Sequence, residues 1–212
     1  GTMIPLSLFL PVLNENSYIR YVDQMVFELV CKMIQESIQK GMKMVPISFN
    51  LSKASFEDEP FMQEYMKVFQ QFDIPKEYIE FELLESISMD NSDKLIKVVD
   101  TIHKAGFRCA LDDFGSGYSS MSVLARVPID IIKLDRSLFQ NPYRDIDNFL
   151  IVDGLLDILH HFPVQIVAEG VEDETVAEHM RQHGCDMIQG FYYYRPMPMD
   201  EFQRLIAEQG EC

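Results

Sequence analysis

One unit recurs along the chain: an amphipathic helix, a glycine, a short apolar strand, then an acid or amide where the strand ends. Six strands are read this way, at residues 45–51, 79–85, 108–112, 131–135, 164–169 and 187–191. The helices between and after them fall at about 17–40, 58–72, 92–105, 119–126, 146–161, 173–183 and 200–208. In the first helix Ile19, Val22, Val26, Leu29 and Met33 form one apolar stripe, and Gly41 follows as its stop. Strands alternating with helices pair in parallel through right-handed crossovers. A doubly wound sheet and a closed barrel both satisfy that order. A doubly wound sheet usually carries a glycine-rich phosphate loop after its first strand, and neither G-x-G-x-x-G nor a Walker motif is in the sequence. The polar residues sit instead at the ends of all six strands, and a barrel gathers such ends around one mouth. The expected fold is α/β, a TIM-like (β/α) barrel in one domain over residues 1–212, although eight strands would need more chain than this.

Composition narrows the partners. With 212 residues and 47% hydrophobic content, the chain suits one packed domain. Eighteen basic against 34 acidic residues leave a charge of −16. That balance argues against a nucleic-acid polymer or an anionic membrane as partner, since both are held by Lys and Arg on phosphates. A small anionic ligand would be repelled too unless bound cations invert the local field. The four cysteines (Cys31, Cys109, Cys185 and Cys212) show no C-x-x-C spacing, which fits idle thiols in a reducing cytoplasm. No run approaches the ~20 apolar residues of a membrane helix, and no secretory signal is visible at the start.

Alternation within the strands says which way the polar groups point. If Ile79, Phe81 and Leu83 face the helices, Glu82 faces the barrel axis, and the same parity turns Asn50, Asp112, Lys133 and Glu169 inward. Gln189 ends the last strand. Asn50, Glu82, Asp112, Asp113, Lys133, Glu169 and Gln189 should therefore converge. Carboxylates crowded in a barrel mouth cannot all ionise unaided, and hard cations with oxygen ligands, Mg²⁺ or Mn²⁺, resolve the repulsion. Adjacent aspartates let one carboxylate bridge two ions while its neighbour holds the second, an arrangement suited to two-metal phosphodiester hydrolysis. The lysine can pair with a water or a phosphate oxygen. Taken singly, each residue has an ordinary explanation. A strand-end Asn caps a turn, an Asp-Asp pair is solvated, and Glu85, Asp135 and Glu172 are loop acids. Recurrence at one phase of successive strands favours a site.

These residues carry a resemblance over nearly the whole chain. Ser48-Phe49-Asn50-Leu51-Ser52, Glu82-Leu83-Leu84-Glu85-Ser86, Lys133-Leu134-Asp135-Arg136-Ser137 and Val167-Ala168-Glu169-Gly170-Val171-Glu172 resemble motifs of the EAL family of cyclic di-GMP phosphodiesterases. The segment Asp112-Asp113-Phe114-Gly115-Ser116-Gly117-Tyr118-Ser119-Ser120 is similar to that family's D-D-F-G-T-G-Y-S-S loop, the most specific of these signals. Phe9-Leu10-Pro11 looks like its F-I-P segment, and Gln189-Gly190-Phe191 like its Q-G-Y. The resemblance implies hydrolysis of cyclic di-GMP to linear pGpG with two divalent cations. It implies Asn50, Glu82 and Asp112 on one cation, Asp112 bridging, and Asp113 on the second. Glu169 would be a further ligand or the base, and Lys133 would orient the attacking water. Gln189, Glu172 and Asp135 would support the ligand. Glu85 would anchor the loop of Phe114, Gly115, Ser116 and Gly117, which in this family lies near a homodimer interface.

Three departures stand against this pattern. The Glu-Ala-Leu strand expected ahead of Phe9-Leu10-Pro11 is absent, Leu84 replaces a threonine, and Asn14 stands where a glutamate is expected. The resemblance thus describes an N-terminally incomplete EAL domain, a piece of a longer regulatory protein, with reduced turnover expected of the piece alone. Two other roles remain open: a receptor that binds cyclic di-GMP without cutting it, and a barrel that regulates through protein contacts.

Overall fold

The computed structural model describes residues 6–15, 18–57, 60–85, 92–116, 121–139 and 149–209. Its strands are β1 (Ile47–Asn50), β2 (Ile79–Leu84), β3 (Arg108–Phe114), β4 (Ile131–Leu134), β5 (Gln165–Ala168) and β6 (Met187–Ile188). All pairings are parallel and the order is β1-β2-β3-β4-β5-β6. Successive strands are therefore always neighbours. A doubly wound sheet reverses direction at a switch point, whereas staves laid in chain order build a barrel wall. The six strands form such a wall, a curled half-barrel with β1 and β6 at its edges among the described residues.

The helices are α1 (Leu6–Glu15), α2 (Ile19–Gln39), α3 (Lys53–Glu57), α4 (Phe61–Phe69), α5 (Ser92–Lys104), α6 (Met121–Arg126), α7 (Leu150–Leu159), α8 (Glu174–Gln182) and α9 (Met199–Gln209). Alternation divides the sheet into two faces. Ile79, Phe81, Leu83, Cys109, Leu111, Ile132, Leu134 and Ile166 join the main core with residues of the helices, among them Phe27, Tyr65, Leu95, Leu156 and Met180. Phe27, Phe49, Tyr65 and Phe81 meet mostly edge to face, as the aromatic quadrupole favours. On the opposite, axial face Ala110, Ile131 and Val167 form a small separate cluster. The phase assigned to the strands from sequence is the observed one. Two aspartates at the far ends of the strands repeat one device: Asp130 accepts from the Cys109 backbone N–H (2.7 Å), and Asp186 from that of Ile166 (2.7 Å).

Several boundaries differ from expectation. The helix expected at 58–72 is the shorter α4, with Pro60 at its cap, and α3 ahead of it was not expected; residues 58–59 lie outside the described set. Proline lacks an N–H and disfavours a helical residue before it, so position 60 suits the start of a helix better than its interior. Phe9-Leu10-Pro11 lies in α1, a helix the sequence did not suggest because it holds that proline. In α2 the buried apolar residues are Ile19, Phe27, Cys31, Met33 and Ile34, which keeps Ile19 and Met33 of the predicted stripe, while Val26 and Leu29 are exposed. Cys31, Cys109 and Cys185 are free thiols, and Cys212 lies outside the described residues.

The last strand, expected at 187–191, ends at Ile188. There the backbone folds around Val171: its N–H donates to the Gln189 carbonyl (3.1 Å), and its carbonyl accepts from Tyr192 N–H (3.1 Å). A Cβ on Gly190 would stand 2.0 Å from the Val171 oxygen and 2.4 Å from its nitrogen. Both are backbone atoms already committed to hydrogen bonds, so neither can yield cheaply. Gly190→Ala should cost about 2 kcal/mol, a fall in melting temperature of roughly 4–8 °C. Thermal unfolding followed by circular dichroism measures it, and an unchanged midpoint would show that the turn has room.

Candidate active site

The axial ends of β2 to β5 bring four charged side chains together. Lys133 Nζ lies 2.5 Å from Glu82 Oε1, 2.5 Å from Glu169 Oε1 and 3.6 Å from Asp112 Oδ1. Lys133 stands on β4 and Glu82 on β2, two inter-strand gaps apart, about 9.6 Å in a flat sheet. Curling the sheet toward its axis shortens that span, so a concave wall is what lets one lysine serve three acids. Lys133 and Glu82 are buried, and Asp112 and Glu169 are nearly so.

Asp113 reaches the same place by a different route. Strict alternation would send it to the helix face, opposite Asp112. Between Leu111 and Phe114 the register with β4 shifts, since Leu111 faces Ile132 but Phe114 faces Leu134. Asp113 takes φ 58°, in the left-handed region, and its N–H donates to Asp112 Oδ1 (3.0 Å). A β-bulge of this kind re-aims a side chain, and aspartate tolerates left-handed backbone better than most residues. One ligand atom each from Asp112, Asp113 and Glu169 then lies within 4.8 Å of the others.

The charges are not balanced. Burial raises the Asp113 carboxyl above its usual range, Asp112, Asp135 and Glu82 push it the same way, and Lys133 opposes them. Glu169 is pushed up to about 7, first by burial and then by Asp112, against the pull of Lys133. Burial would lower the Lys133 ammonium, but Glu82, Glu169 and Asp112 outweigh it and hold the lysine above its ordinary value. Lys133 therefore stays protonated.

The remaining predicted residues lie on or just past the strand ends. Asn50 ends β1 in register with Glu82 and is exposed. Gln189 is exposed just past β6. Glu85 is buried beneath the turn after β3, with Oε2 accepting from Gly115 N–H (3.4 Å), while its own N–H donates to the Asp112 carbonyl (3.0 Å). Asp135 Oδ1 accepts from Ser137 N–H (2.9 Å), capping a short 3-10 turn. Glu172 is exposed, 3.8 Å from Arg136. Phe114, expected in the loop, is the last residue of β3 and fully buried in the core, because the bulge carries the strand two residues further than alternation suggested. Gly115 and Ser116 form the turn, and residues 117–120, Gly117 among them, lie outside the described set.

Sequence reasoning missed a second polar layer one step nearer the strand starts. Glu80 Oε1 pairs with Arg108 (2.8 Å), Ser48 Oγ donates to Glu80 Oε2 (3.4 Å), and Arg108 also bonds Gln165. Glu80 is two residues before Glu82, so the same parity that turned Glu82 inward was the available signal.

Comparison with known proteins adds three findings. The family model described as EAL domain matches residues 1–196. The signaling protein YkoW of Bacillus subtilis is 29% identical over 209 residues, 99% of this chain and 26% of its own length. The bifunctional diguanylate cyclase/cyclic di-GMP phosphodiesterase MucR of Pseudomonas aeruginosa is 28% identical over 199 residues, 94% of this chain and 29% of its own length. The chain thus spans little more than a quarter of these relatives. Among solved structures, the PaMucR phosphodiesterase in complex with c-di-GMP superposes with a TM-score of 0.86 at 28% identity, covering 94% of this chain and 81% of that one. The EAL domain of Mycobacterium smegmatis DcpA gives 0.77 at 29% identity, with 86% and 82% covered.

Proposed function

Since the chain belongs to the EAL domain family, we propose that it is a cyclic di-GMP phosphodiesterase that uses two divalent cations, Mg²⁺ or Mn²⁺, and releases linear pGpG. The observation that carries this reading is the convergence of Asp112, Asp113 and Glu169 oxygens around a lysine that cannot neutralise them. The donor set fits the cations. It is all oxygen, which suits hard ions and not zinc, and the raised Asp113 and Glu169 carboxyls mark a charge surplus that cations would relieve. Asp112, Asp113, Glu82 and Glu169, with Asn50 beside Glu82, are the residues to hold them. When bound, such ions neutralise the phosphodiester and acidify the attacking water.

The chain's own residues supply the rest. Lys133, protonated and fixed by its acid neighbours, donates to the attacking water or to a phosphate oxygen. Where Glu169 serves as the base and not as a further ligand, it takes the water's proton as the water oxygen bonds to phosphorus. One P–O bond of the ring opens, and the departing sugar oxygen takes up a proton. Glu85 steadies the turn at Gly115 that follows the two aspartates. Gln189, Glu172 and Asp135 complete the proposal as residues that serve the nucleotide or its surroundings.

A receptor that binds without cutting is the second reading, favoured by Leu84, which is 40% exposed at the end of β2 where the family pattern has threonine. Chromatography of cyclic di-GMP incubated with the protein and Mn²⁺ separates the two. Linear pGpG should appear with Mn²⁺ and stop on adding EDTA. Calorimetric binding without product would leave the receptor, and absence of both heat and product would sink each reading.

A further inference from the structure

Four of the chain's five histidines (His160, His161, His179 and His183) lie on or just after two neighbouring helices, α7 and α8, on the helical layer outside the sheet. None belongs to the strand-end cluster. His179 and His183 are four residues apart and so share one face of α8, the spacing at which two imidazoles can hold one ion. Asp153 faces them from α7, its Oδ1 2.6 Å from His179 Nε2. One ligand atom from each of the three lies within 4.8 Å of the others.

We propose that Asp153, His179 and His183 form a second metal site, selective for a borderline transition cation of the zinc class, clamping α7 to α8. The donor chemistry differs from that of the barrel mouth. Two imidazole nitrogens and one carboxylate prefer zinc, cobalt or nickel over magnesium. His183 Nδ1 sits 2.9 Å from the His179 carbonyl. A carbonyl only accepts, so Nδ1 carries the hydrogen and Nε2 keeps the lone pair a metal needs. The His179 ring is stacked on Phe149 (centroids 3.7 Å apart), which holds its plane, and His183 lies over its other face (4.0 Å). His183 is exposed at the C-cap of α8, so an ion can arrive from solvent.

Loading requires two small movements. Bonds of about 2.0–2.1 Å at tetrahedral angles set ligand atoms about 3.3 Å apart, so the 2.6 Å His179–Asp153 contact must open. His183 must also turn out of its stack, which its exposure permits. The proton now shared by His179 Nε2 and Asp153 passes to solvent as the cation takes its place. Water completes the fourth position. Nearby, His160 Nε2 is 3.1 Å from the Gly184 carbonyl, and that contact braces the chain just after His183.

The test is titration of the full chain with Zn²⁺ and Co²⁺ in excess Mg²⁺, which keeps the strand-end carboxylates occupied. One equivalent of Zn²⁺ should bind by calorimetry and raise the melting temperature, and Co²⁺ should give the strong visible bands of a four-coordinate ion. His183→Gln, at an exposed position, should weaken Zn²⁺ by about tenfold or more and remove the bands. Asp153→Asn should do the same, while Asp113→Asn should leave both intact. Unchanged Zn²⁺ binding in His183→Gln and Asp153→Asn would overturn the proposal. So would no binding to the unaltered chain at Zn²⁺ up to on the order of 100 µM. In that case Asp153 and His179 would be an interhelical hydrogen bond alone.

Discussion

Lys133→Met should lower the melting temperature of the cation-free protein by roughly 6–12 °C, and Mn²⁺ should recover most of the loss. Lys133 is the positive charge among Glu82, Glu169 and Asp112, and both it and Glu82 are buried. Methionine fills similar space but leaves those acids facing one another. Removing one partner from a buried ionic cluster costs about 3–5 kcal/mol, and the lower end applies because Asp112 and Glu169 keep some contact with water. A divalent cation bound by the same carboxylates replaces the missing charge, so Mn²⁺ should stabilise the variant more than the unaltered chain. Scanning calorimetry in EDTA and in Mn²⁺ gives all four midpoints. A variant as stable as the parent in EDTA would show that the acids are adequately solvated without the lysine. Equal Mn²⁺ shifts in both proteins would show that the cation lies elsewhere. Turnover should stay low in the variant even with Mn²⁺, because the ion restores the charge balance but not the donor to water or phosphate.

Asp113→Asn separates stability from cation binding in the opposite sense. Asparagine suits the left-handed backbone at φ 58° as well as aspartate does, so the bulge should survive. The substitution removes a carboxylate that burial, Asp112 and Asp135 all penalise. The cation-free variant should be no less stable than its parent. Mn²⁺ affinity should fall by at least about tenfold, and turnover on the order of a hundredfold or more, since an amide carries no charge and holds a hard cation more weakly than a carboxylate. Calorimetric titration with Mn²⁺ and product chromatography check the two parts. A variant that binds Mn²⁺ like its parent would remove Asp113 from the ligand set. A variant that loses stability in EDTA would mean that the Asp113 carboxylate has a structural partner outweighing its repulsion.

Much of the wall was legible because alternation is a local property. In β2 to β5 the apolar residues at every second position are what the helix-side core needs, and they compel Glu82, Asp112, Lys133 and Glu169 to the axis together. Helices between strands made the pairing parallel, and the absence of a glycine-rich phosphate loop pointed to the barrel order that the sheet has. The family motifs agreed with this reading because they are the same strand ends seen as patterns.

Other features depend on atoms distant in sequence, and no local period encodes them. Alternation would have sent Asp113 to the helices; only the slip of β3 against β4 turns it to the mouth, and register is set by pairing across the sheet. The early end of β6 follows from the backbone of Val171 pressing on Gly190. The core-facing side of α2 follows from which of its two apolar faces meets Phe49, Tyr65 and Phe81. Asp153 meets His179 because α7 and α8 lie side by side, though 26 residues separate the two in sequence. Residue pattern was sufficient for the strands, their facing and the identity of the converging acids, since each rests on neighbours one or two positions away. Bringing those acids within ligand distance, and adding Asp113 to them, took the curl of the sheet and one bulge, which arise from contacts across the fold.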